Sequence, residues 1–153
     1  MSIIKAIYKA EPIIRPTGNS TITAVSIKYN GQSYTGTAIC HPDDKDFYSR
    51  KVGQRIALSR ARIAAMKAEL KREKNKYKIT TDFCRIMTND PTLVNESSMF
   101  KKRFFKLLNR TAGRIDSLEK GIIRERNSLK EYLKGLDKAI NSVTRMRNKD
   151  KNN

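Results

Sequence analysis

Residues 97–147, SSMFKKRFFKLLNRTAGRIDSLEKGIIRERNSLKEYLKGLDKAINSVTRMR, decide the fold of this chain. From Leu108 onward every seventh residue is apolar, and further apolar residues at three- and four-residue offsets widen the stripe. The seven-spaced positions are Leu108, Ile115, Ile122, Leu129, Leu136 and Val143. Because no proline interrupts this period, the stretch predicts one long helix that packs lengthwise on another helix.

A second helical stretch begins at about Phe47 or Ser49 and repeats the same period. Its seven-spaced positions are Ile56, Ile63, Leu70, Tyr77 and Cys84. The β-branched segment Lys78–Asp82 leaves open whether this helix continues to residue 88 or is interrupted. Asn89-Asp90-Pro91 then ends it, and two such helices joined by a short loop predict an antiparallel hairpin.

The N-terminal part predicts a small antiparallel sheet. Thr21–Tyr29 and Gln32–Cys40 alternate in polarity and are joined by Asn30-Gly31, the pair preferred in a type I′ hairpin turn. This turn sets a register in which the pairs are Tyr29 with Gln32, Ile27 with Tyr34, Val25 with Gly36 and Thr23 with Ala38. Ser2–Arg15, rich in Ile, Ala and Tyr, is predicted as a third strand followed by a loop. One face of the sheet is apolar, so we expect a helix to cover it.

These patterns predict an α+β protein. Its N-terminal three-stranded antiparallel sheet packs on a helix and is followed by a long helical hairpin or coiled coil. We expect a β-β-β-α unit at residues 1–76, a helical extension at 77–147 with the long helix at about 97–147, and a disordered tail at 148–153. The heptad pattern leaves open whether the apolar stripes of the two helices pack against each other within one chain or join copies of it in a homo-oligomer.

The net charge is the main evidence on function. The chain has 33 Lys and Arg against 15 Asp and Glu, a formal charge of +18. Such an excess of positive charge is typical of proteins that bind polyanions, above all nucleic acids. No apolar run is long enough to cross a membrane or to serve as a signal peptide, so we expect a soluble, intracellular protein.

The basic residues of both helices follow helical spacings, which would let them meet successive phosphates. Within the first helix Glu69 and Glu73 are the only acids between Ser49 and Lys78, so most cations there lack an intrahelical partner. The candidate nucleic-acid-binding residues on the first helix are Arg50, Lys51, Arg55, Arg60, Arg62, Lys67, Lys71 and Lys74, with Lys78 continuing the row. Those on the long helix are Lys102, Lys106, Arg110, Arg126, Lys130, Lys134 and Lys138, with Arg145 beyond them.

Nothing in the sequence indicates an enzyme, a metal site or a cofactor. Cys40 and Cys84 lie far apart without a CxxC motif, and we expect them to be small core residues. His41 and the nearby Asp43, Asp44 and Asp46 lack both a second His or Cys and the glycine and glutamate of a calcium loop. We interpret them as a loop before a helix. The aromatic residues, Phe100 and Phe104 among them, are expected to pack in the core rather than stack on bases.

A resemblance of residues 36–61 to known proteins indicates the origin of the chain. Residues 36–44, GTAICHPDD, resemble small uncharacterised proteins encoded by phages of Gram-positive bacteria, and the resemblance continues at Phe47, Ser49, Gly53, Ile56-Ala57 and Arg60-Ala61. The resemblance implies a viral protein that acts in the cytoplasm of the bacterial host, with a β-β-β-α unit and no established activity.

The order of elements also resembles the later part of a double-stranded-RNA-binding domain, whose last helix begins with basic residues. Arg50, Lys51 and Arg55 stand at the matching positions. The chain differs from that domain in having Val52-Gly53 in place of a lysine cluster and in having no predicted N-terminal helix.

The leading hypothesis is a non-enzymatic basic phage protein that binds nucleic acid, with RNA slightly favoured, or a nucleoprotein complex, through phosphate contacts. A first alternative is an anti-defence inhibitor, similar to an anti-CRISPR protein, that docks on a host protein machine through its helical hairpin. A second alternative is a virion assembly protein.

Overall fold

The computed structural model of the protein describes residues 2–18, 21–40, 49–89 and 98–150, without the side chains of residues 88, 89, 98–100 and 147–150. Its elements are α1 (Ile3–Lys9), β1 (Pro12–Arg15), β2 (Ile22–Tyr29), β3 (Gln32–Ile39), α2 (Arg50–Asn89) and α3 (Ser98–Asp150). The three strands form one antiparallel sheet in the order β1-β2-β3. The predicted α+β class, with a small sheet followed by a helical hairpin, is confirmed.

The β2–β3 hairpin has the predicted turn and register. Asn30 and Gly31 both have positive φ, 53° and 74°, as the two central residues of a type I′ turn require. Tyr29 pairs with Gln32 and the register continues to the pairing of Ile22 with Ile39. Local turn chemistry therefore fixed this part of the fold.

The prediction of a strand at the start of the chain is wrong for residues 3–9, which form α1. Ser2 caps this helix, since its Oγ accepts a hydrogen bond from the Lys5 N–H at 3.3 Å. Ile7 is fully buried, and Ile3 and Ile4 pack against the same core cluster. Burial of residues spaced by three and four positions outweighs the β-propensity of isoleucine here. Residues 2–89 thus follow the order α-β-β-β-α.

Helix α2 is continuous through the β-branched segment that left its path open. The hydroxyl of Thr80 donates to the carbonyl of Lys76 at 2.7 Å, and that of Thr81 donates to the carbonyl of Tyr77 at 2.9 Å. Both bonds satisfy the threonine hydroxyls within the helix itself. At the C-terminus α3 reaches Asp150, so residues 148–150 are helical where the predicted disordered tail begins.

Small residues allow α2 to approach the sheet closely. Ala57, Ala61 and Ala65 are fully buried on the face of α2 that covers the sheet. Gly36 of β3 lies against this face, and a Cβ placed there would be 2.5 Å from the Ala61 nitrogen and 2.8 Å from the Arg60 Cβ. The helix–sheet distance therefore requires glycine at this position.

Helices α2 and α3 form an antiparallel hairpin within one chain. Three contacts between the helices show that they are antiparallel, because the residue number of the partner in α3 decreases as the residue number in α2 increases. Arg55 stacks on Tyr132, Glu73 accepts from Arg114, and the ring of Phe83 stacks on that of Phe104. Most residues of the predicted seam are half-buried or buried along this interface, while Val143 is 40% exposed. The seam is therefore closed internally where the two helices run side by side.

Candidate nucleic-acid interface

One side of α2 is left free by its packing partners and carries a row of cations. The sheet covers one side of the helix, and α3 and α1 cover another. The third side presents exposed basic residues at steps of seven, four, three and four positions, which keep them in line on a helix. They are Arg60, Lys67, Lys71, Lys74 and Lys78. At 1.5 Å per residue this row is roughly 27 Å long.

Helix α3 adds two cations to the same side. Lys74 Nζ lies 2.7 Å from Glu119 Oε1, which shows which side of α3 adjoins the row. Lys67 precedes Lys74 by seven residues and Arg126 follows Glu119 by seven. Because the helices are antiparallel, both steps run about two turns in the same direction, so Arg126 stands beside Lys67. Lys130, one turn further on, continues the line. We call the surface formed by these seven cations, Arg60, Lys67, Lys71, Lys74, Lys78, Arg126 and Lys130, the basic face.

The acidic residues of the hairpin core do not neutralise the basic face, because they are turned inward. Glu69 and Glu73 are each 6% exposed, and Glu125 is 8% exposed. Glu69 accepts from Arg72 at 3.0 Å, and Glu73 accepts from Arg114 at 3.3 Å. The cations of the α2 row thus point to solvent, while Glu69 and Glu73 are buried on other sides of the helix. Asp82, four residues after Lys78, is the exposed acid of α2 at the end of the row.

Arg60 is held more firmly than the lysines of the basic face. Its Nη1 donates to the carbonyl oxygen of Thr37 at 2.5 Å, which ties the side chain to β3. A guanidinium has five N–H donors, so this bond leaves donors for a ligand. Lys74 is 54% exposed and its partner Glu119 is 46% exposed, so water screens their ion pair.

The other candidates on α3 do not join the basic face. Helical geometry places Lys102, Lys134 and Lys138 on the side of α3 away from α2, where all three are exposed. Lys106 and Arg110, also exposed, lie on the flank opposite the basic face. The predicted rows on α3 therefore wind around the helix, since steps of four residues advance by more than one turn.

The remaining candidate residues, in the N-terminal part of α2, differ in whether they are exposed or contact other helices. Arg50 and Lys51 are exposed at the start of the helix. Arg55 and Arg62 turn instead toward α3 and α1. The guanidinium carbon of Arg55 lies 4.0 Å from the ring centroid of Tyr132, and that of Arg62 lies 4.7 Å from the ring centroid of Tyr8.

Sequence reasoning missed a polar cluster at the junction of α1, α2 and α3. The Tyr8 hydroxyl donates to Glu125 Oε2, and the Ser59 hydroxyl donates to Glu125 Oε1 at 2.6 Å. Burial, and the hydrogen bond to the Glu125 carboxylate, raise the pKa of Tyr8 to about 12. These residues lie far apart in sequence, and α1 was not predicted, so no local pattern could have joined them.

Other predicted features are half-buried or lie outside the described residues. Cys40 and Cys84 form no disulfide and are half-buried rather than fully buried core residues. Phe104 is half-buried against Phe83, whereas the adjacent Phe105 is 63% exposed. The residues His41, Asp43, Asp44 and Asp46 and the side chain of Phe100 are not among those described. In the described part of the chain no three His, Cys, Asp or Glu side chains gather as metal ligands.

No described helix carries an apolar stretch long enough to cross a lipid bilayer. Neither the protein-family models, nor the curated proteins, nor the solved structures with which the chain was compared give a significant match.

Proposed function

We propose that the protein is a non-enzymatic nucleic-acid-binding protein that uses its basic face to contact the phosphate backbone. The observation that carries this proposal is the separation of charge on α2. Its row of lysines is exposed on one side, and Glu69 and Glu73 are buried on others. Glu119, paired with Lys74, and Asp82 beside Lys78 offset only part of this charge. A row with excess positive charge attracts counterions that a polyanion can displace, and their release favours binding.

The chemistry of the basic face favours backbone contacts over base recognition. Five of its seven side chains are lysines, which act as flexible point charges rather than as bidentate readers of a base edge. Its length of roughly 27 Å lets several phosphates be contacted at once. Binding should therefore depend strongly on salt and little on base sequence.

Duplex RNA is the slightly favoured target. The order α-β-β-β-α of residues 2–89, with the helix α1 that the sequence did not predict, is also the element order of a double-stranded-RNA-binding domain. Such domains recognise the shape and backbone of duplex RNA. This likeness of element order supports the choice of RNA, whereas the phosphate-binding proposal itself depends on the basic face. From the resemblance of residues 36–61 to phage proteins we infer that this activity takes place in the cytoplasm of a bacterial host.

Fluorescence anisotropy with labelled duplex RNA and duplex DNA of one sequence, measured over a series of salt concentrations, tests the proposal. We expect affinity to fall by roughly 10³-fold or more between about 50 and about 200 mM salt if six or more phosphates are contacted. RNA should bind at least as tightly as DNA. Binding that is absent at low salt, or unchanged across the series, would overturn the proposal.

One observation favours a second candidate, an anti-defence inhibitor that docks on a host protein. The guanidinium of Arg72 donates a hydrogen bond to Gln32 at the turn between β2 and β3. Beyond Arg72, α2 carries two exposed isoleucines, Ile79 at 69% and Ile86 at 67%. Phe83 between them is 44% exposed, and apolar residues spaced by four and three positions lie on one side of a helix, where a contiguous patch marks a protein-binding surface. A pull-down from host lysate with and without nuclease, using the wild type and an I79D/I86D variant, separates the candidates. A partner that survives nuclease and is lost with the variant favours protein docking.

A further inference from the structure

A cavity lies on the side of the helical hairpin opposite the basic face. Helices α1, α2 and α3 enclose a volume of about 320 Å³ between them, at the small end of ligand pockets, which span roughly 300–1,000 Å³. Three arginines, two tyrosines and one carboxylate supply its ionisable lining. They are Tyr8, Arg55, Arg62, Arg124, Glu125 and Tyr132. We call this cavity the arginine cleft.

The arginine cleft has more positive than negative charge. Glu125 is the carboxylate in its lining, against three guanidinium groups. Both oxygens of Glu125 already accept hydrogen bonds from hydroxyl groups, those of Tyr8 and Ser59. Among the described residues no ion pair joins Glu125 to any of the three arginines. Two positive charges therefore remain in excess in a site that is partly shielded from water.

Arg62 supplies donors at the inner end of the cleft. Its Nη2 donates to the Tyr8 carbonyl oxygen at 3.4 Å. Its Nε is buried, and no described protein group accepts a hydrogen bond from it. A buried guanidinium donor without an acceptor is unfavourable, so Arg62 keeps hydrogen-bonding capacity that the described protein groups do not use.

Arg55 and Arg124 lie at the exposed rim of the cleft. Arg55 is fixed over the Tyr132 ring at 4.0 Å, a contact that orients the plane of its guanidinium. Arg124 is exposed and comes from α3, so the three arginines approach the cavity from two helices. Three planar donors around a small cavity match a ligand with several acceptor oxygens and a double negative charge.

We propose that the arginine cleft binds a phosphomonoester, with Arg55, Arg62 and Arg124 donating to its terminal oxygens. A phosphate group has the required three oxygens and about two negative charges at neutral pH. Glu125 remains hydrogen-bonded to Tyr8 and Ser59 and keeps the floor of the cleft in place. This site is separate from the basic face and goes beyond the function proposed above.

Isothermal titration calorimetry on the full chain tests the site with inorganic phosphate and with adenosine monophosphate, at ionic strength matched with chloride. The matched variants are R124Q and R126Q. They remove the same charge from exposed arginines two residues apart on α3, but Arg126 lies on the basic face. We expect saturable binding of both ligands to the wild type. R124Q should weaken binding about tenfold, the loss of one charge-assisted contact, and R126Q should change it less than about twofold.

The same two variants distinguish this site from the proposed function. R126Q should weaken binding to duplex RNA more than R124Q does, the reverse of their order with the small ligands. Tighter binding of adenosine monophosphate than of phosphate identifies a nucleotide as the ligand, and equal binding identifies the phosphate group alone. If neither ligand binds saturably, or if the two variants lose phosphate binding equally, the arginine cleft is not a phosphate site.

Discussion

Lys74 of α2 and Glu119 of α3 lie 2.7 Å apart across the two long helices, with about half of each side chain exposed to solvent. This ion pair identifies which flank of α3 adjoins the lysine row of α2. A second pair, Arg114 with Glu73, joins the same helices at 3.3 Å, but there the side chain of Glu73 is only 8% exposed. The two pairs differ in burial and should differ in their contribution to stability.

Removing a cation from each pair tests this difference. K74Q should change the free energy of unfolding by less than about 1 kcal/mol, because an exposed ion pair contributes little. R114Q should destabilise by about 2 kcal/mol, because Glu73 would then be buried without its cation and its Oε2 already lacks a protein partner. Urea denaturation of both variants provides the measurement. Equal losses would show that burial does not separate the two pairs.

Gly36 and Gly113 provide a second matched comparison. G36A should destabilise the protein by about 2 kcal/mol, since a Cβ at this position collides with the backbone of α2. G113A should stabilise by up to about 1 kcal/mol, because nothing lies within 4 Å of its Cβ position and alanine favours helices. Thermal unfolding followed by circular dichroism measures both changes. A G36A protein as stable as the wild type would contradict the close contact between β3 and α2.

The fold was predictable from sequence where the signal is local. Asn30-Gly31 set both the turn and the register of β2 and β3, and the seven-residue period of α3 located its seam. Helix α1 was not predicted, because isoleucine and tyrosine favour strands and only the burial of Ile7 among three other elements makes the helical arrangement stable. Ser2, followed by apolar residues at positions 3, 4 and 7, was the available sign of a capped helix.

Tyr8 gives a prediction for the dependence of stability on pH. Its pKa is raised from the ordinary 10.0 to about 12, so the folded state holds its proton more tightly than the unfolded chain does. The resulting stability is complete below about pH 10 and is lost as pH rises through about 12. We expect part of the alkaline loss of stability to be absent in Y8F, as measured by urea denaturation at several pH values. Ultraviolet difference spectra should show one late-titrating tyrosine missing in Y8F.

A control for Tyr8 is available in Tyr34. The Tyr34 hydroxyl donates to Gln32 Oε1 at 2.9 Å in an exposed position. At neutral pH Y8F should destabilise by about 1–3 kcal/mol, because it leaves a buried carboxylate oxygen without its donor. Y34F should have a smaller effect. A larger loss in Y34F than in Y8F would contradict the role assigned to the Glu125 cluster.

The candidate site was predictable in part. Spacing on α2 placed Lys67, Lys71 and Lys74 correctly in line, because one helix determines that geometry. Which residues of α3 share their surface depends on the register and rotation of the two helices against each other, and the spacing within one helix does not give these. For the same reason Arg55 and Arg62 were grouped with the row, although their packing against Tyr132 and Tyr8 directs them to the opposite side.

The central claim is that one face of the hairpin binds phosphates. Two triple variants with the same change in charge separate it from a general effect of net charge. K67Q/K71Q/K78Q removes three lysines of the basic face, and K102Q/K134Q/K138Q removes three exposed lysines from the far side of α3.

The most direct measurement is the slope of log affinity for duplex RNA against log salt concentration in these two variants. The basic-face variant should lose affinity and its slope should become shallower by roughly 0.9 for each phosphate contact removed. The far-side variant should keep a slope close to that of the wild type. Equal changes in the two variants, or a wild-type slope near zero, would contradict the account.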